Sequence, residues 1–409
     1  MIIRQIKAEE YKRVQEINAH AFHEAFEDGE TDANELIQNL IADPCDREDM
    51  NWSQRWGVFS DDNRTMYSTL LAIPYNANFD GTTVRMLGIG AVATMPAFRG
   101  MGFTSACIKS VLRSQHEKGV PLSYLHPFST SFYRRFGYAL ACEKNRYFIS
   151  LDTIPHFEIS GTFHLLEHGS NFQREIEKVY NCWYNRYNLM TKDEDIEYVW
   201  VRKASPFVNN VYSYVYKTDD GEPAAYFTYY LKKSGDKQVL CCTRFFFTCL
   251  EGLEAILHFL KKESARFHEA EFTLPIDFDL SDIFSEWRFG KVKCVREQNG
   301  MVRVIDVEKT LRLAKMQGDG ILRIAVEDTI IEQNNACFEV TFRNGVTTGV
   351  RRCNDSADIT LNIHDFSMLI CGRCSATSIQ FLPNVSIACD IEKVQQVFYH
   401  KPMCITREF

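Results

Sequence analysis

The stretch that decides the fold runs from Val92 to Ser105 and reads VATMPAFRGMGFTS. An apolar strand enters, a short loop turns, and a helix begins with two glycines, Gly100 and Gly102, at its head. Because glycine carries no side chain, backbone N–H groups at these positions can approach an anion closely. The unpaired donors of the first helical turn add the positive end of the helix dipole. The pattern therefore predicts a site for a pyrophosphate.

Two common phosphate-binding motifs do not fit this loop. The dinucleotide-binding pattern G-x-G-x-x-G, counted from Gly100, needs its third glycine where the chain has Ser105, and no acidic residue follows on a parallel strand. The P-loop of nucleotide triphosphatases needs Gly-Lys-Ser or Gly-Lys-Thr, which does not follow here. A glycine-containing turn that binds nothing is the alternative to a ligand-binding loop.

Strands and helices alternate on both sides of the loop, which predicts a first α/β domain over residues 1–150. The predicted elements are strands at 2–6, 56–59, 66–75, 83–94 and 121–126 and helices over 8–26, 102–119 and 130–136. Gly137 ends the last of these helices in the usual role of a helix-terminating glycine.

A second region, residues 151–290, repeats this order weakly and is interpreted as a duplicate of the first. Its predicted elements are strands at 211–216, 224–231 and 239–247 and a helix over 250–266. Its strand-to-helix junction has no Arg-x-x-Gly, so this copy is not expected to bind the ligand of the first. The third region, residues 291–409, has a different order of predicted strands and helices and is predicted to be an α+β domain with one sheet.

The segment Arg99-x-x-Gly102-x-Thr104 resembles the acetyl-coenzyme A signature R/Q-x-x-G-x-G/A of the GNAT N-acetyltransferases, from which Thr104 departs at the last position. The resemblance implies acetyl-coenzyme A as co-substrate, bound largely by the backbone, with no metal. The implied binding residues are Val92, Ala93 and Thr94 for the pantetheine arm, Arg99, Gly100, Met101, Gly102, Phe103, Thr104 and Ser105 around the pyrophosphate, and Phe128 and Ser129 at the thioester end.

The segment SFYRRFGY, Ser131–Tyr138, resembles a GNAT segment in which a tyrosine faces the thioester sulfur. Transfer of acetyl to an amine expels a thiolate, and a phenol with a pKa around 10 can protonate it. Tyr133 is therefore predicted to be the general acid; the alternative is a core aromatic like Phe132 and Phe136. Tyr138, past the end of the helix, is the second candidate and is expected to be structural.

The whole chain resembles the Eis family, named for enhanced intracellular survival. The shared features are two tandem GNAT-like mixed-sheet domains, the second degenerate, followed by a sterol-carrier-protein-like α+β domain with a Glu-Phe terminus. The resemblance implies that the α-carboxylate of Phe409 reaches into the first domain as general base. A carboxylate with a pKa of about 3.5 is a weak base but can accept a proton when partly desolvated. Packing of Phe409 against its own domain is the alternative.

The same resemblance implies cationic multi-amine substrates such as aminoglycosides, an acidic pocket and a homohexamer. Glu24 best matches the acidic position of the family. The acidic residues around Glu24 are equally consistent with an exposed turn that binds no ligand. His126, at the end of the strand before the Tyr133 helix, is a candidate substrate contact; a buried, hydrogen-bonded histidine is the alternative.

Composition narrows the function classes further. The chain has 409 residues, with 46 Lys and Arg against 54 Asp and Glu, and a net charge of −8. This balance argues against nucleic acid as a partner and favours attraction of cationic ligands. The charged N-terminus, which includes Arg4 and Glu9, is unlike a signal peptide, and no apolar run approaches the roughly 20 residues of a membrane span. A cytoplasmic protein with no membrane partner is expected.

Fourteen cysteines are scattered along the chain and are expected to be reduced and buried. Cys371 and Cys374 form a C-x-x-C pair, but no second pair or histidine cluster completes a zinc site. The leading hypothesis is an acetyl-coenzyme A-dependent amine N-acetyltransferase that works by direct transfer. The competing hypothesis is a non-catalytic lipid- or peptide-binding protein that uses the C-terminal domain, with the GNAT domains as scaffold.

Overall fold

The computed structural model describes residues 1–22, 55–166, 172–192, 207, 210–234, 237–284, 287 and 290–406. The chain divides into two compact units. Unit 1 comprises Met1–Ala141, Gly300–Lys401 and Thr406–Phe409, and unit 2 comprises Cys142–Asn299 and Pro402–Ile405. Unit 1 therefore combines the first part of the chain with most of its C-terminal region. The three-domain division at residues 150 and 290 stays a prediction.

The N-terminal part of unit 1 is a mixed sheet with helices. Its strands are β1 (Ile2–Gln5), β2 (Arg55–Phe59), β3 (Met66–Phe79), β4 (Thr82–Thr94) and β5 (Leu122–Leu125), and its helices are α1 (Tyr11–Phe22), α2 (Phe103–Glu117) and α3 (Thr130–Arg134). The strands lie in the order β1-β2-β3-β4-β5. Neighbours are antiparallel except β4 and β5, which are parallel and connected through α2.

Helix α2 forms because its apolar residues recur at helical spacing and find a sheet to cover. Cys107, Ile108, Val111 and Leu112 are buried on one face, in one core cluster with Leu70, Leu87 and Ile89 of the sheet. The predicted strand, loop and helix around Gly102 are confirmed: β4 ends at Thr94 and α2 begins at Phe103. The core thus fixes the axis of α2, while the loop in front of it stays at the surface.

Unit 2 contains strands in both parallel and antiparallel pairs. Its strands are β6 (Ala139–Ser150), β7 (Thr162–Leu165), β8 (Val211–Lys217), β9 (Pro223–Ser234), β10 (Lys237–Phe247), β11 (Glu269–Pro275) and β12 (Val292–Val304), and its helices are α4 (Gln173–Arg186) and α5 (Leu250–Lys262). The first residues of β6 and the last of β12 belong to unit 1. Their order is β12-β6-β11-β10-β9-β8-β7, and β10 and β11 are parallel and connected through α5.

The C-terminal region of unit 1 forms one sheet, as the sequence predicts, and this sheet has five strands. Its elements are α6 (Val307–Leu313), β13 (Gly320–Glu327), β14 (Ala336–Arg343), β15 (Val346–Cys353), β16 (Ile359–Asn362), α7 (Ile363–Ile370), α8 (Ala376–Ile379), β17 (Ser386–Ile387) and α9 (Ile391–Val397). The strand order is β15-β14-β13-β16-β17. Along the part of the chain that the structure describes, no helix combines the length and apolarity needed to cross a membrane.

The C-terminal region joins the N-terminal part of unit 1 directly. Met301–Val304 at the end of β12 pair antiparallel with Leu125–Leu122 of β5. The buried Lys401 ammonium contacts the Asp80 carboxylate at 2.5 Å, next to the β3–β4 turn. Since both contacts bury polar groups, they hold the two regions in a defined arrangement rather than as loosely linked modules.

Candidate active site

A β-bulge interrupts strand β4 just before the glycine loop. Thr69 of β3 lies opposite Ala93, whereas Leu71 lies opposite Gly90, so β4 carries one extra residue. The bulge includes Ala91, whose φ of +44° is unusual for a residue with a Cβ. A bulge bends its strand and ends regular pairing, which turns the last residues of β4 away from the course set by its first part.

Strands β4 and β5 pair over only part of their length. Met86–Ile89 pair in parallel with Leu122–Leu125, and β5 ends there while β4 continues to Thr94. The described pairing with β5 therefore stops before the candidate pantetheine residues Val92, Ala93 and Thr94. A strand edge without a neighbour can accept an extended ligand as an additional strand.

The two glycines of the loop adopt a backbone conformation that other residues avoid. Gly100 has φ +82° and Gly102, which caps the start of α2, has φ +84°. A Cβ at either position would meet no atom within 4 Å, so the conformation rather than crowding requires glycine. The first intrahelical bond, from Ala106 N to Gly102 O at 3.0 Å, leaves the amides of the first turn available, including those of Phe103, Thr104 and Ser105.

Aromatic rings hold both ends of the glycine loop. Tyr67 of β3 stacks on Phe103 at 4.5 Å between ring centroids and meets the edge of Phe98 at 4.6 Å. Phe98 precedes the loop and Phe103 follows it, so one ring on β3 fixes the entry and the exit. The side chains of Arg99 and Met101 between them are exposed, Met101 at 63%. Sequence reasoning missed Tyr67, because only the pairing of the sheet brings it to the loop.

Three hydroxyl groups connect the end of β4 to the first turn of α2. Thr94 Oγ1 lies 2.6 Å from Thr104 Oγ1 and donates to Ser68 Oγ at 2.9 Å. The buried Ser68 hydroxyl donates to Ala93 O at 2.8 Å. Thr104, the departure from the signature, therefore has a structural use, since a Gly or Ala there could not make these bonds. Sequence reasoning did not find Ser68.

The thioester end of the candidate site lies beyond β5. Ser129 caps α3, its Oγ accepting from Phe132 N at 3.3 Å. Phe128 is 72% exposed, and its ring centroid lies 5.4 Å from that of Tyr133 in an edge-to-face arrangement. A large aromatic this exposed beside a buried tyrosine is available to cover a bound ligand.

Tyr133 is buried on the inner face of α3, with its ring against Phe132 and Tyr138. Burial, with a smaller contribution from neighbouring Tyr138, raises the pKa of the Tyr133 phenol well above its usual value. Among the described residues, none exchanges a hydrogen bond with its hydroxyl. The phenol is thus protonated at neutral pH and has its donor available.

The environment of Tyr138 differs from that of Tyr133. Tyr138 is fully buried, and its hydroxyl lies 2.6 Å from Ser123 Oγ of β5. Burial raises its pKa, while the Ser123 hydrogen bond and the nearby Arg303 charge lower it in part. A hydroxyl paired in the core serves packing, in keeping with the structural role expected of Tyr138.

His126 follows β5 and is half-buried. Its Nε2 lies 3.1 Å from Tyr124 Oη, and the two rings meet edge to face at 5.3 Å. Tyr124 is itself buried beneath Gly300, where any Cβ would overlap its hydroxyl. His126 is therefore held at the end of β5, near the start of the Tyr133 helix. The other predicted substrate residue, Glu24, and the predicted base, Phe409, lie outside the described residues and stay predictions.

Arg303, near the end of β12, is a further residue at this site that sequence reasoning missed. Its buried guanidinium donates from Nε to Phe136 O at 2.6 Å, immediately after α3. The same side chain donates to both Asp328 carboxylate oxygens at 2.8 Å. No local pattern signals this contact, because Arg303 and Phe136 are distant in sequence.

The C-x-x-C pair has the properties of structural cysteines. Cys371 follows α7 and is fully buried, and burial raises the pKa of its thiol to about 12. A redox-active or metal-binding cysteine has a lowered pKa instead. In the described residues, no group of three or more His, Cys, Asp or Glu side chains is placed to hold a metal ion.

Unit 2 places a cavity of about 660 Å³ at its own strand-to-helix junction. The lining includes Asp219, Asp220, Glu222, Thr248, Cys249 and Glu251. Cys249 caps α5, and Glu251 in the first turn accepts a hydrogen bond from Tyr216 Oη at 2.7 Å. Carboxylates at a helix N-terminus occupy the favourable place for negative charge and repel a phosphate.

Two domain families match parts of this chain. Residues 2–141 match the acetyltransferase (GNAT) domain family and residues 307–405 match the sterol carrier protein domain family. Comparison with curated proteins finds no match.

Solved structures that share the fold over the whole chain include the following three. A GCN5-related N-acetyltransferase from Anabaena variabilis is 17% identical with a TM-score of 0.84, over 100% of both chains. A conserved protein of unknown function from Enterococcus faecalis, a probable N-acyltransferase, is 19% identical with a TM-score of 0.84, over 100% of this chain and 99% of that one. Eis1 from Mycobacterium abscessus is 17% identical with a TM-score of 0.78, over 100% of both chains. The chain therefore contains a GNAT acetyltransferase domain and a sterol carrier protein domain, and its full length has the fold of an Eis-type acetyltransferase.

Proposed function

We propose that this protein transfers acetyl from acetyl-coenzyme A to primary amines of cationic multi-amine substrates, of the aminoglycoside, polyamine or lysine type. The observation that carries the proposal is the end of β4–β5 pairing at Ile89: β4 continues beyond it to the glycine loop, and the chain after β5 leads to the Tyr133 helix. A backbone edge, an anion-binding helix terminus and a proton donor thus follow one another along the candidate site.

In this proposal the co-substrate lies between the ends of the two strands. The pantetheine arm pairs with the edge of β4 at Val92–Thr94, beyond the last β5 pair. The pyrophosphate accepts from first-turn amides of α2, whose dipole has no acidic residue to compensate it in that turn. The exposed Arg99 adds positive charge beside the loop. Phe128 covers the thioester end.

The chemical step is direct transfer. The neutral amine nitrogen attacks the acetyl carbonyl carbon, a carbon–nitrogen bond forms, and the carbon–sulfur bond breaks. The phenol of Tyr133 gives its proton to the departing thiolate sulfur. The proton of the former amine goes to the Phe409 carboxylate, directly or through water, and solvent exchange restores both groups. Burial raises the pKa of Tyr133 and so keeps the phenol protonated at neutral pH, the form in which it can donate to the departing sulfur.

Substrate preference follows from charge in this proposal. The chain carries a net charge of −8, which attracts polycations, and Glu24 supplies part of an acidic pocket lip. His126, held by Tyr124 at the end of β5, contacts the acceptor. The acceptor amine must lose a proton before it attacks, so turnover is expected to rise with pH through the neutral range.

The function is tested by thiol release from acetyl-coenzyme A with a panel of aminoglycosides, polyamines and lysine peptides. Acceptor-dependent release with a cationic multi-amine supports the proposal, and its absence across the panel contradicts it.

A chain extended by a few residues after Phe409 tests the proposed base, since full turnover with a displaced carboxylate would exclude that role. Calorimetry with coenzyme A distinguishes the enzyme from the competing hypothesis of a lipid- or peptide-binding protein, because GNAT domains that serve only as a scaffold give no binding heat with coenzyme A.

A further inference from the structure

We propose that Arg303 is a positioning residue for acetyl transfer. It lies in the C-terminal region of unit 1 and holds the helix that carries Tyr133. The inference rests on the proposed function, in which Tyr133 is the acid. It assigns to the C-terminal region of unit 1 a direct part in the geometry of the transfer, through one guanidinium and one backbone carbonyl.

The Arg303 side chain is fixed by its surroundings. Its side chain and that of Asp328 are both 0% exposed. Besides donating to Asp328, the guanidinium donates from Nη1 to Val304 O at 3.0 Å. Asp328 in turn accepts from Ile330 N at 2.9 Å and from Asn334 Nδ2 at 2.9 Å. A buried ion pair with its lone pairs and protons satisfied has one geometry, because any rotation breaks a bond that no water replaces.

One bond carries this rigidity to the active-site helix. Arg303 Nε donates to Phe136 O at 2.6 Å, a charge-assisted bond in the core. Phe136 N donates to Tyr133 O at 2.9 Å, so the turn that follows α3 is bonded back to the tyrosine itself. Helix α3 has only five residues, Thr130–Arg134, and so short a helix depends on contacts at its ends.

The turn after α3 also fits closely between two side chains of the C-terminal region. Gly137 has φ +81°, and a Cβ there would lie 2.6 Å from Ile363 Cγ2 and 3.1 Å from Arg303 Nε. The backbone can approach the guanidinium this closely only because residue 137 lacks a side chain. The glycine that sequence analysis interprets as a helix stop is therefore also the point where the two regions fit together.

The substitution that isolates this bond is Arg303→Lys. It keeps a positive charge for Asp328 but removes the Nε donor to Phe136 O. Arg113→Lys is the matched control: Arg113, on α2, also donates from Nε to a backbone carbonyl of the C-terminal region, Ile330 O at 3.0 Å, but this bond does not involve α3. Gly137→Ala disturbs the same turn from its other side and serves if Arg303→Lys does not fold.

A displacement of the acid by about 1 Å lowers the rate by up to about 100-fold. We expect Arg303→Lys and Gly137→Ala to lower kcat about 10- to 100-fold, with the KM for acetyl-coenzyme A changed less than about 2-fold. Arg113→Lys should stay within about 2-fold of the native kcat. Active enzyme is counted by coenzyme A titration, so that unfolded protein does not enter kcat.

A double-mutant cycle with Tyr133→Phe decides the mechanism. If Arg303 acts through the Tyr133 phenol, Arg303→Lys lowers kcat little further once that phenol is gone. An effect that multiplies in full on the Tyr133→Phe background, an unchanged kcat, or equal losses in Arg303→Lys and Arg113→Lys would overturn the inference while the proposed function stands. Full turnover by Tyr133→Phe would instead overturn the acid assignment and the inference with it, and absence of thiol release in the native enzyme would overturn the proposed function.

Discussion

Two strand–helix–strand segments can be compared: β4–α2–β5 in unit 1 and β10–α5–β11 in unit 2. Their connectivity is the same, but the junctions between the first strand and the helix differ. In each, a helix connects two parallel neighbouring strands. Residues 95–102 separate strand from helix in unit 1, whereas only residues 248–249 do so in unit 2. The longer junction provides a loop in which backbone amides can face a ligand, and the shorter one does not.

Glycine has different uses at the two junctions. Gly100 and Gly102 have positive φ and open space around them, so they shape a loop. Gly252 lies inside α5, where a Cβ would overlap the Ala224 carbonyl oxygen, so it allows the helix to pack on β9. A glycine near the head of a helix is therefore a sign of ligand binding only when its backbone conformation requires it.

Charge separates the junctions as well. The first turn of α2 has no acidic residue, while that of α5 has Glu251, with Asp219 and Asp220 beside it. A helix dipole attracts an anion only where no carboxylate already compensates it. The α2 junction therefore has the features that the proposed pyrophosphate site needs, and the α5 junction does not.

The largest effect is expected at Tyr133, the proposed acid, which follows the first of the two segments. Tyr133→Phe should lower kcat about 10²- to 10⁴-fold, because the thiolate then leaves without its proton donor. The measurement is thiol release at saturating acetyl-coenzyme A. Tyr138→Phe is the matched control: it loses only a core hydrogen bond to Ser123 and should keep kcat.

The pH profile tests the same acid. Since burial raises the pKa of Tyr133, its phenol stays protonated to higher pH than a free tyrosine. The rate should therefore show no loss from Tyr133 ionisation below about pH 10, the pKa of an unperturbed phenol. A decline with a midpoint below that pH, present in the native enzyme and absent in Tyr133→Phe, would contradict this environment.

The next largest effect is expected from a substitution in the glycine loop of the first junction. Gly102→Val places a β-branched residue at φ +84° and fills the space in front of the α2 amides, so the Kd for coenzyme A should rise about 100-fold. Gly221→Val in unit 2 is the control, because Gly221 has φ +82° and equally open space. It should cost similar stability and leave calorimetric affinity unchanged. Equal affinity losses in both variants would show that strain, not the ligand site, is responsible.

Filling the glycine of the second junction should affect stability alone. Gly252→Ala forces the helix away from Ala224 and should destabilise the protein by about 1–3 kcal/mol, with coenzyme A affinity unchanged. Urea unfolding measures the first quantity and calorimetry the second. Gly349→Ala, where a Cβ meets nothing within 4 Å, should change both little. Weaker coenzyme A binding by the Gly252 variant would assign a ligand role to unit 2.

The smallest expected effect tests the hydroxyl cluster. Thr104→Ala removes the bonds to Thr94 and Ser68, which are worth about 1 kcal/mol, and should raise the Kd for coenzyme A a few-fold. Thr104→Ser should restore the native Kd. Tighter binding by the alanine variant would mean that the residue usual in the signature is also the better one here.

Much of the site could be predicted from sequence because its signals are local. The positive φ of Gly100 and Gly102, the buried face of α2 and the short helix that carries Tyr133 depend on neighbours within a few residues. The same holds for the missing Arg-x-x-Gly of the second junction. Local backbone preferences and periodicity determine such features before any tertiary contact forms.

Only the tertiary structure decided what surrounds these residues. The bulge at Ala91 and the early end of β4–β5 pairing follow from strand register, which brings Ser68 and Tyr67 to the loop. The contact of Arg303 with Phe136 joins chain segments 167 residues apart. The sequence by itself determined the loop, the helix and the phenol, because these depend on short-range conformational energy. The partners that hold them depend on which distant side chains share the core, and packing alone settles that.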